Sequence, residues 1–161
     1  MSATFDGLLK VLCEACQQHY GPRLVALAVY GSVGRGTPRS TSDMDVVLVV
    51  DSLPNGRIAR VEEFAEVDRM MAAPLAAARA HGVETEVSPV FKTPAELAAG
   101  SPLLLDMTED ARILVDRGEL AQALNALRAR LAAQGARRVV RGNAWFWDLK
   151  PDYRPGDTFT L

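Results

Sequence analysis

Between residues 24 and 50 the chain runs apolar, then polar, then apolar again, and both apolar runs have strand length rather than helix length. The first, residues 24–30, is bounded by Pro22 and Gly31 and reads as a buried strand. A loop rich in Gly, Ser, Thr and Arg follows. Residues 43–50 resume as a second strand. Its alternation puts Asp43, Asp45, Val47 and Val49 on one face and Met44, Val46, Leu48 and Val50 on the other. A strand that ends in Gly31-Ser32 and feeds a loop presents backbone N–H groups and a hydroxyl, an arrangement that binds phosphate oxygens. Arg35 would add charge to that cradle. Two aspartates one residue apart on a strand point the same way, and bare carboxylates that close repel one another. On an otherwise apolar strand the pair implies a positive group between them, and hard oxygen donors favour Mg²⁺ or Mn²⁺.

Around this segment the chain alternates helical and strand patterns. Leu8, Leu9, Leu12, Cys13, Cys16 and Tyr20 recur at helical spacing until Gly21-Pro22 breaks the run. An Ala-rich helix is expected over residues 58–81, interrupted or kinked at Pro74 and capped by Gly82. Residues 83–91 alternate as a third strand, with Glu84 and Glu86 on one face and Val83, Thr85 and Val87 on the other. A third carboxylate from this neighbouring strand would allow two metals about 4 Å apart, the geometry of in-line displacement at phosphorus. Thr93-Pro94-Ala95-Glu96 is a capping box that starts another helix. Residues 111–115 are expected to form a strand, and residues 119–133 a helix with Leu120, Leu124, Leu127 and Leu131 along one side.

With 161 residues the chain suits one domain, which should bury about two-thirds of the unfolded surface. We place a domain at residues 1–136, with its core at 22–92, and an irregular Trp-rich tail at 137–161 packed on it. The net charge of -2 argues against nucleic-acid binding through global positive charge and leaves room only for a local basic patch. No apolar run approaches membrane-spanning length, and no secretory signal pattern opens the chain, so a cytoplasmic, membrane-free protein is expected. Cys13 and Cys16 sit too close together on a helix to staple distant segments, which fits a reducing compartment. With His19 they also raise a zinc reading, but all three fall on or beside the apolar stripe and core packing is the better account. His81 suits a helix C-terminus. In the tail, Arg137, Arg138, Arg141, Trp145, Trp147, Lys150, Tyr153 and Arg154 interleave basic and aromatic groups as a single-strand nucleic-acid surface would, although packing of the tryptophans is favoured. The helix carrying Met70 and Met71 is read as core-facing, with a homodimer surface as the alternative.

Other phosphate motifs fit poorly. Residues 31–36 have Walker A spacing, but Thr37-Pro38 stands where Lys and Ser/Thr are required. Gly34-Arg35-Gly36 lacks the third glycine of a dinucleotide fingerprint. Gly31-Ser32, then Arg35-Gly36, then Ser42-Asp43-Met44-Asp45 resembles the signature of the DNA polymerase β nucleotidyltransferase superfamily, especially its minimal bacterial and archaeal members. The resemblance implies an α/β fold, a small mixed sheet flanked by helices. It also implies a magnesium-dependent transferase that moves NMP from an NTP, with ATP expected, to an acceptor hydroxyl and releases pyrophosphate. By the same resemblance Asp43 and Asp45 would bind metal, and Gly31, Ser32, Arg35 and Ser42 would bind nucleotide. The third carboxylate would be Glu86 by strand position, with Glu84 as the alternative. Two further readings follow from the resemblance: an antitoxin-like or regulatory partner of a helical HEPN-type protein, and a nucleotide-binding module without catalysis. The acceptor is left open.

Overall fold

The computed structural model describes residues 1–142 and 144–154, so the last part of the expected tail, residues 155–161, lies outside the described residues. Helix α1 (Ser2–Tyr20) buries Phe5, Leu8, Leu9, Leu12, Cys16 and Tyr20, the stripe its spacing predicts. Each such large apolar side chain contributes roughly 1.5–3 kcal/mol when fully buried. Strand β1 (Leu24–Val29) is buried along its whole length. A single helical turn, α2 (Gly31–Gly34), leads through a loop into β2 (Met44–Val50). The long helix α3 (Arg57–Ala80) carries the chain to β3 (Val87–Lys92). Then come α4 (Pro94–Ala98), α5 (Leu103–Asp110), β4 (Arg112–Asp116) and α6 (Glu119–Ala133). Two last strands, β5 (Arg137–Arg141) and β6 (Ala144–Asp148), pair as an antiparallel hairpin.

Four strands form one mixed sheet in the order β3-β2-β1-β4. β1 lies antiparallel to both β2 and β4, whereas β2 and β3 are parallel. A parallel pair needs a crossover, and α3 supplies it. Met44, Val46, Leu48 and Val50 join α1 and α3 residues such as Leu12, Phe64 and Met71 in one core. Val47 and Val49 join Leu97, Leu104, Met107, Leu120 and Leu124 from α4, α5 and α6 in a second. Because helices cover both faces, the central strands are apolar almost throughout. Asp45 is the exception on β2. Among the described residues no helix is long and apolar enough to cross a membrane.

Several expectations shift. Helix α3 runs through Pro74 without interruption. Met71 and Ala78, buried on either side of the proline, hold both halves in the core beside α1. At its end Gly82, at φ 80°, donates to the Arg79 carbonyl while Val83 donates to Ala78, a glycine-closed helix terminus. The third strand begins at Val87 rather than 83. Val83 and Thr85 do turn inward, at 5% and 6% exposure, but the main chain here pairs with the loop before β2 instead of a continuous ladder. The capping box forms as predicted, with Thr93 and Glu96 exchanging bonds of 2.9 and 3.2 Å. The tail is not irregular throughout: residues 137–148 make the β5–β6 hairpin, and Trp147 and Leu149 pack against the second core.

Candidate active site

The turn and the carboxylate strand meet at the end of the sheet. The Tyr30 N–H donates to the Asp45 carbonyl at 2.9 Å, tying the end of β1 to the start of β2. Gly31 adopts φ +66°, and a Cβ there would lie 2.8 Å from Asp45 Oδ2, so the Asp45 carboxylate lies directly against the turn. Only glycine permits both the conformation and the approach. Ser32 is the second residue of α2, in a first turn whose N–H groups have no partners inside the helix. Its carbonyl accepts from the Thr37 N–H at 2.9 Å, which closes the loop behind it. Ser42 works within the loop too, its Oγ accepting from the Arg39 N–H at 2.9 Å.

Asp43 is exposed and Asp45 half-buried. Burial first, and the neighbouring Asp43 charge second, push the Asp45 carboxyl above its ordinary range. Burial and then the Asp45 charge raise the Tyr30 phenol likewise. Among the described residues neither aspartate takes part in an ion pair with Lys or Arg. Two close hard-oxygen donors, without a protein cation beside them, suit a divalent metal ion.

The candidates for the third carboxylate are placed differently. Glu86 meets Asp43 through its main chain: its N–H donates to Asp43 Oδ1 at 3.3 Å, and its carbonyl accepts from the Met44 N–H at 2.9 Å. The parallel register sets Ser88, not a glutamate, beside Asp45. Glu84 donates its N–H to the Ser40 carbonyl at 2.7 Å, and both glutamates are exposed. Among the described residues no three or more His, Cys, Asp or Glu side chains stand grouped to hold a metal ion.

Arg35 turns to a partner that sequence reasoning missed. Its Nη1 donates to Asp110 Oδ2 at the end of α5, and its guanidinium lies 4.9 Å from the Trp145 ring centre. Asp110 is 3% exposed and also binds Arg138 at 3.0 Å. Arg138 in turn lies 4.3 Å from the same ring. The Nε1–H groups of Trp145 and Trp147 both donate to Asp106 Oδ1, at 3.0 and 3.1 Å. The tryptophans are thus fastened to the protein, as the packing interpretation of the tail anticipates. An acid at the end of α5 gives no sign in sequence of where it will find a cation.

Cys16 is buried in the core of α1, where desolvation first and the Cys13 charge second push its thiol up to about 12. His81 Nδ1 lies 2.7 Å from the Ala77 carbonyl, the helix-end contact expected of it. A cavity of about 610 Å³ lies elsewhere, between α4, α5 and α6, lined by Leu97, Leu105, Leu127 and Arg130 and by neither aspartate of the pair.

A family model for the nucleotidyltransferase domain matches residues 9–115. A Methanocaldococcus jannaschii protein described as a "putative protein adenylyltransferase" is 26% identical over 114 residues, covering 70% of this chain and 72% of its own. Similar solved structures include a toxin-antitoxin crystal structure with AMP-PNP, with 18% identity, 83% of this chain and 92% of that chain covered, and a TM-score of 0.44. A mutant of the toxin-antitoxin MntA-HpeT gives 18% identity, 81% and 90% coverage, and a TM-score of 0.44.

Proposed function

This chain belongs to the nucleotidyltransferase domain family, and from that premise we propose that it transfers NMP, with ATP as donor, to an acceptor hydroxyl and releases pyrophosphate. The observation that carries this reading is the Asp45 carboxylate set against the Gly31 turn, beside Asp43 and with no protein cation in the described residues to neutralise the pair. The description of the M. jannaschii relative supports ATP as donor and makes a protein side-chain hydroxyl the first acceptor to try.

Asp43 and Asp45 would hold Mg²⁺, with Glu86 proposed as the third carboxylate; when bound, the ion would offset charge on the phosphates and on the attacking oxygen. Ser32 and the free N–H groups of α2 would receive phosphate oxygens, and Gly31 lets the backbone come close to them. Ser42 and Thr37 keep the intervening loop closed, so the phosphate-facing turn and the carboxylates stay in register. Arg35 would act from the edge of this cradle, because Asp110 already fixes its guanidinium. Rate enhancement would rest on positioning and electrostatic complementarity, as phosphoryl transfer generally does.

The test is to incubate the protein with each radiolabelled NTP, Mg²⁺ and cell extract. Label from ATP should appear on an acceptor and vanish with Asp43→Asn or Asp45→Asn. Full labelling by a folded Asp43→Asn/Asp45→Asn double variant would refute the reading. A companion reading is a protein partner, helical or a second copy of this chain. Val140 and Phe146 on the hairpin favour it, exposed at 68% and 48%. Light scattering of the purified chain and co-purification from cells check it, and a strictly solitary monomer would oppose it.

A further inference from the structure

The geometry points to a role for the β5–β6 hairpin in nucleotide binding: Trp145 and Arg138, acting through Asp110, clamp Arg35 and so hold the Gly31–Gly34 turn in place. This rests on the proposed nucleotide site, and concerns a part of the chain beyond the 9–115 segment that the family model matches.

The clamp can be followed outward from the turn. The Arg35 N–H closes α2 by donating to the Gly31 carbonyl at 3.0 Å, so displacement of Arg35 loosens the turn directly. Its side chain is held by Asp110, which divides its two oxygens between two guanidinium groups: Oδ2 to Arg35 and Oδ1 to Arg138. Two cations beside one indole would repel each other, and the Asp110 carboxylate between them removes that cost. The indole is oriented by the Trp145 Nε1 bond to Asp106, an acid on the same helix as Asp110. A second contact joins the same partners through the backbone. A Cβ on Gly34 would lie 2.3 Å from the Asp110 carbonyl oxygen, so α2 is pressed against the end of α5.

A turn that receives phosphates gains affinity from being ordered before the ligand arrives. In the hairpin, Arg138 and Trp145 supply that order without touching the nucleotide, which makes them positioning residues rather than catalytic ones. Asp110 belongs with them.

The experiment uses the full chain with two readouts: amide hydrogen exchange of residues 31–36, and calorimetric affinity for ATP with Mg²⁺. Trp145→Ala should speed exchange in the turn and weaken ATP binding, each by about tenfold, the scale of a lost partly desolvated cation–π contact. Exchange in α1 and α3 should stay unchanged, and Trp145→Phe, which keeps a ring, should keep both properties near those of the starting protein. The clamp is overturned if Trp145→Ala leaves turn exchange unaltered, whether or not ATP binding weakens, or if exchange accelerates equally across the whole chain. Failure of the unaltered protein to bind ATP would overturn the proposed function instead, and the exchange comparison would still decide whether the hairpin holds the turn.

Discussion

Two acidic sites flank the Gly31 turn, and they handle charge in opposite ways. Asp110 is the more buried, at 3% exposure, yet each of its oxygens faces a guanidinium group. Asp43 and Asp45 lie nearer to solvent and form no ion pair among the described residues, and burial first and the Asp43 charge second make the charged form of Asp45 costly. A carboxylate satisfied by arginines contributes to holding the structure, because removing it takes the shared partner from Arg35 and the half-buried Arg138. A pair without a protein cation does the reverse: its repulsion weakens the folded state, and under the proposed function a cation from solution would meet that charge. Under the proposed function, what holds the turn is thus separate from what the turn is held for.

That contrast can be broken most decisively at Asp45. Asp45→Asn should lower nucleotidyl transfer by on the order of 10³-fold or more. Its thermal midpoint should be unchanged or higher, since one of two repelling charges is gone; a variant that loses stability along with activity would place Asp45 on the structural side. Asp110→Ala should behave in the opposite sense, costing about 1.5–3 kcal/mol in urea unfolding because Arg35 and Arg138, both partly open to solvent, lose their shared partner. A loss below about 1 kcal/mol would mean that the cluster is solvated well enough to do without its acid.

The glycines of the turn sharpen the comparison further. Gly34→Ala should cost about 1–3 kcal/mol, because the new Cβ would meet the rigid Asp110 carbonyl. Gly36→Ala, at φ +74° but in open space, should cost only about 1 kcal/mol from backbone strain. Equal losses in the two variants would show that the close approach of α2 to α5 is not what constrains Gly34.

The first acidic site was legible in the sequence and the second was not, for a physical reason. Asp43 immediately precedes β2, which begins at Met44 rather than at residue 43, and Asp45 is its second residue. The two lie only two residues apart, so the short-range extended pattern brings them close, and Gly31-Ser32 follows the neighbouring strand almost directly. Local geometry was enough. Asp110, Arg35 and Arg138 come from a helix end, a loop and a hairpin, and their meeting depends on how α5 and β5 pack on the sheet, which no local period encodes. The same limit bears on Glu86: alternation placed it on one face with Glu84 of an expected strand, but the strand begins only at Val87 and its register, a long-range property, sets Ser88 beside Asp45. The four strands of the main sheet and helices α1, α3 and α6 were readable from apolar spacing and α4 from its capping box, whereas α5 and the hairpin were not, the hairpin because its alternation is masked by Arg and Trp side chains that serve the clamp.

Glu96 offers the smallest test and calibrates the others, being a carboxylate paired with arginine near the surface. Two bonds of 2.8 Å from Arg60, then the Thr93 N–H, hold its carboxyl down at about 2 against an ordinary 4.5, with Lys92 adding a weaker pull. A folded-state value below the unfolded one means that the stabilisation is complete above about pH 4.5 and fades as pH falls toward 2. The side chain is 43% exposed, so solvent screening keeps the pair near the 0.2–1 kcal/mol typical of surface ion pairs. Urea midpoints measured from pH 7 down to pH 3 should therefore fall slightly less steeply in Glu96→Gln than in the parent. Identical slopes would show that the Arg60 pair adds nothing, and that of these two arginine-paired acids only Asp110, cut off from water, stabilises the fold to a measurable degree.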